Sequence, residues 1–199
     1  MKKLLLSCIF SLAIIASSFA QIERNVVCFE GTFTTCGWCP RGMAIMEYMV
    51  AEEPDYLIPI VVHDFPSDPM KPEGIDTFSG HSMIAFATGF PSFWVDGYRH
   101  VQAGPSLDEG ISNLQEVYTE QRNDAPPVAV TVNPQWNNET REIIMNITAD
   151  FVADLSGDLR FNAIVVENDV TGITMDYDQT NNYGGGAFGE CGGYELLPN

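Results

Sequence analysis

Two cysteines separated by two residues, in Thr35-Cys36-Gly37-Trp38-Cys39-Pro40, follow the apolar strand-like run Val26-Val27-Cys28-Phe29. Dithiol chemistry is the first expectation. In a Cys-x-x-Cys that opens a helix, the first sulfur lies at the positive end of the helix macrodipole, where free backbone N–H groups stabilise a thiolate. The second sulfur lies one turn in, close enough to resolve a mixed disulfide. The same spacing also serves a static disulfide in an oxidising compartment, or half of a zinc site that Cys28 or Cys191 would have to complete. Exchange is the favoured reading, with Cys36 as nucleophile, Cys39 as resolving thiol and Trp38 in one of the two positions that tune the potential. It needs no cofactor.

The elements that position these sulfurs can be read along the chain. A strand is expected around Val26-Glu30 and a helix from Pro40 to Ala51, with proline tolerated in the first turn and Pro54 closing it. Tyr56 to His63 reads as a buried strand that Pro59 bends or sets near an edge. A proline-rich acidic loop, Asp64 to Asp76, precedes a helix over Phe78–Thr88. Pro91 to Val95 reads as a strand, Asp96-Gly97 as a hairpin turn and Tyr98 to Val101 as its return. Ser106 caps a helix running to about Gln121. Beyond Ala125-Pro126-Pro127 the signals are strands and turns alone: Val128–Val132, Glu142–Ala149 and Leu159–Val166, three alternating runs that suit a β-sandwich. The expected organisation is therefore an α/β domain over 21–125 and a mainly antiparallel, sandwich-like and incomplete β-rich domain over 126–199.

Residues 1–20 set the compartment. Lys2 and Lys3, the apolar run Leu4 to Ile15 and the small residues of Ser18-Phe19-Ala20 read as a cleaved signal peptide. Cys8 is signal-peptide filler, because a lipidated cysteine would follow the apolar region rather than precede it. No later segment approaches the roughly 20 apolar residues of a membrane helix. The chain carries 27 acidic and 9 basic residues, a net charge of −18. Such acidity disfavours nucleic acid as a partner and favours solubility.

The order strand, Cys-x-x-Cys helix, strand, helix, hairpin, helix resembles the thioredoxin core. Glu30, six residues before Cys36, stands where thioredoxin-like proteins carry a buried acid that exchanges protons with the second cysteine. Gly89-Phe90-Pro91-Ser92 looks like the loop whose cis-proline packs against the disulfide and receives substrate backbone. The resemblance thus implies four catalytic residues: Cys36, Cys39, Glu30 and Pro91. A narrower resemblance, to the Omp-twenty-eight-related outer membrane proteins, is carried by Glu30, by residues 35–42, and by His63, Asp68-Pro69-Met70, Gly89-Phe90-Pro91-Ser92 and Gly192-Gly193-Tyr194-Glu195. It implies an exported chain in the periplasm, on the outer membrane, at the cell surface or secreted. It also implies members that continue further, so the glycine-rich end at Pro198-Asn199 has the look of a truncated product or fragment. Two functions follow: a thiol-disulfide oxidoreductase acting on protein thiols or disulfides, and an envelope binding or assembly module, partnered by outer-membrane or envelope proteins, with a structural disulfide.

Other residues invite weaker readings. Cys28 suits a buried small hydrophobe, with pairing to Cys191 as the alternative. His63 beside Asp64 suits a hydrogen-bonded structural histidine better than a metal ligand. His81 and His100 have no partners in sequence. Met43, Met46 and Met49 suit core packing better than soft-metal capture. Asp176-Tyr177-Asp178 begins at calcium-loop spacing but lacks the glycine and the closing glutamate. Asn138-Glu139-Thr140 and Asn146-Ile147-Thr148 match the glycosylation pattern with little meaning in a bacterial chain. Gly184-Gly185-Gly186, without a strand before it, is a turn rather than a phosphate loop.

Overall fold

A computed structural model describes residues 22–71 and 89–198; the expected signal peptide, the Phe78–Thr88 helix and His81 lie outside them. Residues 24–124 and 160–199 form one compact unit, and a second unit contains residues 125–159.

The first unit is mixed α/β. Strand β1 (Val26–Thr32) leads through the cysteine loop to helix α1 (Pro40–Glu52), then to β2 (Leu57–His63), the hairpin β3 (Ser92–Val95) and β4 (Arg99–Gln102), and helix α2 (Leu107–Asn123). The sheet order is β2-β1-β3-β4, with β2 parallel to β1 and both β3 and β4 pairing antiparallel. Pro59 is tolerated because β2 is an edge strand. The hairpin turns where its chemistry predicts: Asp96 and Gly97 both take positive φ, 50° and 76°, as the central pair of a turn that Tyr98 N closes by donating to Val95 O at 3.3 Å. The Asp96 carboxylate accepts from Val27 N and from Arg24, fixing the turn to β1. Ser106 caps α2 by accepting from Glu109 N, and Asp108 and Glu109 stand in its first turn.

Alternation along β1 decides the layers. Val26 and Cys28 face the two helices, where they pack with Ile45, Met46 and Met49 of α1, Phe93 and Val95 of β3, and Leu114 and Tyr118 of α2. Met46 and Met49 are thus core residues. Phe29 faces the opposite side with Val62 and Trp94. Glu30 continues the Val26-Cys28 column by one more step of two, so a carboxylate lies in register with the helix-facing core.

The second unit holds β5 (Val128–Asn137) and β6 (Glu142–Phe151), an antiparallel hairpin with ten paired positions. Asn137 Oδ1 accepts from Glu139 N and Thr140 N to close its turn. The expected third strand, Leu159–Val166, is not formed: those residues have no strand pairing and all are exposed. Alternation makes a segment fit for a sheet, but only a partner edge makes it a strand. Residues 160–199 group with the first unit.

Candidate functional site

Cys36 and Cys39 are joined by a disulfide. The loop that carries them is a chain of short turns: Cys36 N donates to Phe33 O and Cys39 N to Cys36 O, both at 3.0 Å. Cys39 then occupies the N-cap of α1 with Pro40 in the first turn, where the absent proline N–H leaves nothing unsatisfied. Cys36 therefore stands just outside the helix rather than within its first turn. It is 5 % exposed, Cys39 is sealed, and Trp38 between them is 41 % exposed.

Glu30 lies beneath the start of α1, fully buried, with neither carboxylate oxygen hydrogen-bonded. Burial, with the charge of Glu47 second, pushes its pKa from 4.5 up to about 8. What allows the acid to lie there is Gly42. A Cβ at Gly42 would collide with Glu30 Oε1 and with Pro91 Cβ, so the missing side chain lets helix, acid and proline meet. Gly42 follows Cys39 by three residues and shares its helix face. The Phe90–Pro91 peptide bond is cis, and Ser92 Oγ closes its loop by donating to Gly89 O at 2.6 Å. Gly42 thus brings Glu30 and Pro91 together at the face of the helix that Cys39 caps. Its role has a signal in hindsight, a glycine inside an otherwise helical run, which warns of close approach.

Asp68, which carries part of the narrower resemblance, is a positioning residue whose partners no local pattern indicates. Its carboxylate accepts from Thr34 N at 2.7 Å, two residues before Cys36, and from Met70 N at 2.8 Å. His63 Nδ1 bonds the same carboxylate at 2.9 Å, so the histidine is structural and its partner is Asp68 rather than Asp64. Asp64 pairs with Lys71 at 3.1 Å. Phe33 stacks on Phe65 and meets Phe90 edge-on, which ties the cysteine loop, the loop after β2 and the proline loop together.

The far end of the chain completes the site. Gln179 Nε2 donates to Cys36 O at 2.8 Å, Thr180 N to Thr34 O at 2.8 Å and Asn182 N to Gly37 O at 2.9 Å. Tyr183 and Phe188 meet the Trp38 ring edge-on, with centroids at 5.7 and 4.8 Å. Arg41 donates to Tyr183 Oη at 2.8 Å and to Pro105 O at 3.1 Å. A groove of about 430 Å³ runs between Trp38, Arg41, Phe90, Pro105, Tyr183 and Phe188. Gly184-Gly185-Gly186 is a tight 3-10 turn within this segment. Nothing local in the sequence pairs residues 179–188 with a loop some 143 positions earlier.

Cys28 and Cys191 are free and buried, and they sit in separate clusters: Cys28 in the main core, Cys191 with Ala44 and Tyr183. Burial raises both thiols, Cys191 to about 11. Among the described residues no group of three His, Cys, Asp or Glu side chains is placed to hold a metal. Asp176 stands in an exposed 3-10 turn. His100 packs beside Trp94, with ring centroids 5.2 Å apart, and burial lowers its pKa.

These features define a mixed α/β protein with a Cys-x-x-Cys disulfide at a helix start, over a buried acid and a cis-proline. No family model and no curated protein matches the chain. Among solved structures it is similar to HBP35 of Porphyromonas gingivalis, with 21 % identity and a TM-score of 0.39 over 57 % of this chain and 38 % of that one. It is also similar to protein AGR_C_4864 from Agrobacterium tumefaciens, with 17 % identity and a TM-score of 0.41 over 64 % and 58 %. The chain spans less than two thirds of either protein. No described helix is long and apolar enough to cross a membrane.

Proposed function

We propose that this protein is an exported thiol-disulfide oxidoreductase of thioredoxin-like fold that acts on protein cysteines through Cys36 and Cys39. The observation that carries the reading is Glu30: a fully buried carboxyl with no hydrogen bond and a pKa near 8. A static disulfide has no use for so costly a group, whereas a proton acceptor matched to a thiol of ordinary pKa about 8.5 does. In the reducing direction the Cys36 thiolate attacks a substrate disulfide, forming the Cys36–substrate bond and expelling one substrate thiolate. The ionised form of Glu30, the minor one at neutral pH, takes the proton of Cys39, which attacks the Cys36 sulfur. The Cys36–Cys39 bond forms and the second substrate thiolate leaves. Oxidation of a substrate dithiol is the reverse sequence.

The reduction potential of the pair tests this reading, by equilibration in glutathione or dithiothreitol buffers with thiol trapping. A potential above about −250 mV, with Cys36 alkylated first and turnover lost in Cys36→Ser, supports exchange. A potential well below about −300 mV marks a structural disulfide. The second reading, an outer-membrane-associated binding or assembly module, draws on one observation: one face of the β5–β6 hairpin exposes Val130, Val132, Trp136 and Ile143, an apolar surface suited to contact with envelope proteins. Partner capture that survives in the double serine variant, without turnover, would favour it.

A further inference from the structure

We propose that residues 179–198 are an intramolecular cover of the dithiol loop, held on the backbone carbonyls around Cys36, and that exchange at Cys36 requires this cover to lift. The inference rests on the oxidoreductase reading and adds a gate to it.

Three backbone carbonyls of the dithiol loop accept hydrogen bonds from this segment. Thr180 and Asn182, two residues apart, donate their N–H groups to Thr34 O and Gly37 O, the spacing at which an extended strand presents successive donors to one side. Gln179 takes the carbonyl between them, that of Cys36. The side chain of Asn182 lies so close over Gly37 that a Cβ there would collide with it. With Thr34, Cys36 and Gly37 all engaged, the loop's carbonyl edge is already occupied. Tyr183 and Phe188 add ring contacts to Trp38, the residue between the two cysteines. The nucleophilic cysteine is left 5 % exposed.

The attachment is also of a kind that can open. Beyond the pairing residues the segment folds on itself: Asn181 Nδ2 donates to Tyr194 O, and Glu195 accepts from Cys191 N and Gly193 N. Its ties to α1 are a small cluster of Ala44, Tyr183 and Cys191, the Arg41 bond to Tyr183 Oη at 2.8 Å and Tyr194 Oη donating to Glu47. Residues 152–174, which lead to it, contain no helix or strand. Lifting therefore breaks a few hydrogen bonds and one minor cluster while the sheet and both helices stay intact, a local opening well below the cost of global unfolding.

The cysteines themselves report the test. In the reduced protein, iodoacetamide labelling followed by mass spectrometry reads Cys36, Cys191 in the cover and Cys28 in the core separately. Thr180→Pro with Asn182→Pro removes the two pairing N–H groups. Cys36 and Cys191 should then label roughly tenfold faster or more than in the parent, with Cys28 unchanged. A freed Cys191 with an unchanged Cys36 rate overturns the cover. If Cys28 labels faster too, the variant is unfolded and the parent decides: in urea below its unfolding transition, Cys36 and Cys191 rates should climb together ahead of Cys28, and a Cys36 rate flat in urea overturns the cover. Insulin reduction separates the two claims. An exposed Cys36 without turnover in either protein sinks the oxidoreductase reading and leaves the cover standing. Equal turnover with and without the prolines sinks the cover and leaves the enzyme.

Discussion

Glu30 is the residue at which folding and chemistry pull in opposite directions. In the unfolded chain its carboxyl titrates near 4.5, in the folded protein near 8. Between those values the folded state holds one proton more than the unfolded state, so this contribution to stability is fully present below about pH 4.5 and falls as the pH rises toward 8, at about 1.4 kcal/mol per unit. Glu30→Gln, which keeps the shape and removes the titration, should flatten that slope: urea midpoints at pH 5 and pH 8 should diverge for the parent by more than for the variant. Parallel curves would mean that Glu30 ionises freely where it lies. If the acid serves Cys39, the same variant should accumulate the Cys36 mixed disulfide, visible by acid trapping, because the resolving thiol has lost its proton acceptor. Gly42 is the geometric counterpart. Gly42→Ala drives a methyl into Glu30 and Pro91, and an overpacked contact of this kind should cost about 1–3 kcal/mol in urea unfolding.

At the scale of elements, the site is a meeting of loops that short-range rules place and long-range bonds hold. Asp68 shows the second part: its carboxylate bonds Thr34 N and His63 across the gap between the cysteine loop and the end of β2. Asp68→Ala should leave the Thr34 N–H buried and unpaired, at about 1–3 kcal/mol, and hydrogen exchange should show the Thr34 amide losing protection while core amides such as that of Phe93 keep theirs. Equal protection at Thr34 would mean that water replaces the carboxylate. Pro40 at the start of α1, the Ser106 cap and the Asp96-Gly97 turn were legible in the sequence because each carries its own local reason. So were Glu30 and Pro91, through the resemblance their spacing supports. Asp68 pairs with a residue 34 positions away and Gln179 with one far more distant, and no local pattern encodes such a partner. Leu159–Val166 shows the converse failure: its alternation is a sound strand signal, yet a strand also needs a neighbouring edge, and that is not a property of eight residues.

Across the whole molecule the dominant feature is charge, −18 on 199 residues. A field of that sign raises the local concentration of cations and repels anions over distances comparable to the Debye length, about 10 Å at 0.1 M salt. At the dithiol this net field competes with the neighbouring cation Arg41, whose guanidinium is already engaged by Tyr183 Oη and Pro105 O. The net charge should therefore prevail in the approach of small disulfides to reduced Cys36. With cystamine, which is cationic, the second-order rate should be high at low ionic strength and fall as salt is added. With Ellman's reagent, which is anionic, it should rise. The comparison is best made as a ratio of the two rates, because any opening of residues 179–198 is common to both reagents and cancels. The ratio should shrink steadily between roughly 20 and 300 mM salt as the field is screened. A ratio indifferent to salt would mean that Arg41 and the local dipoles alone govern approach, and that the acidity of the chain serves solubility without selecting what reacts at Cys36.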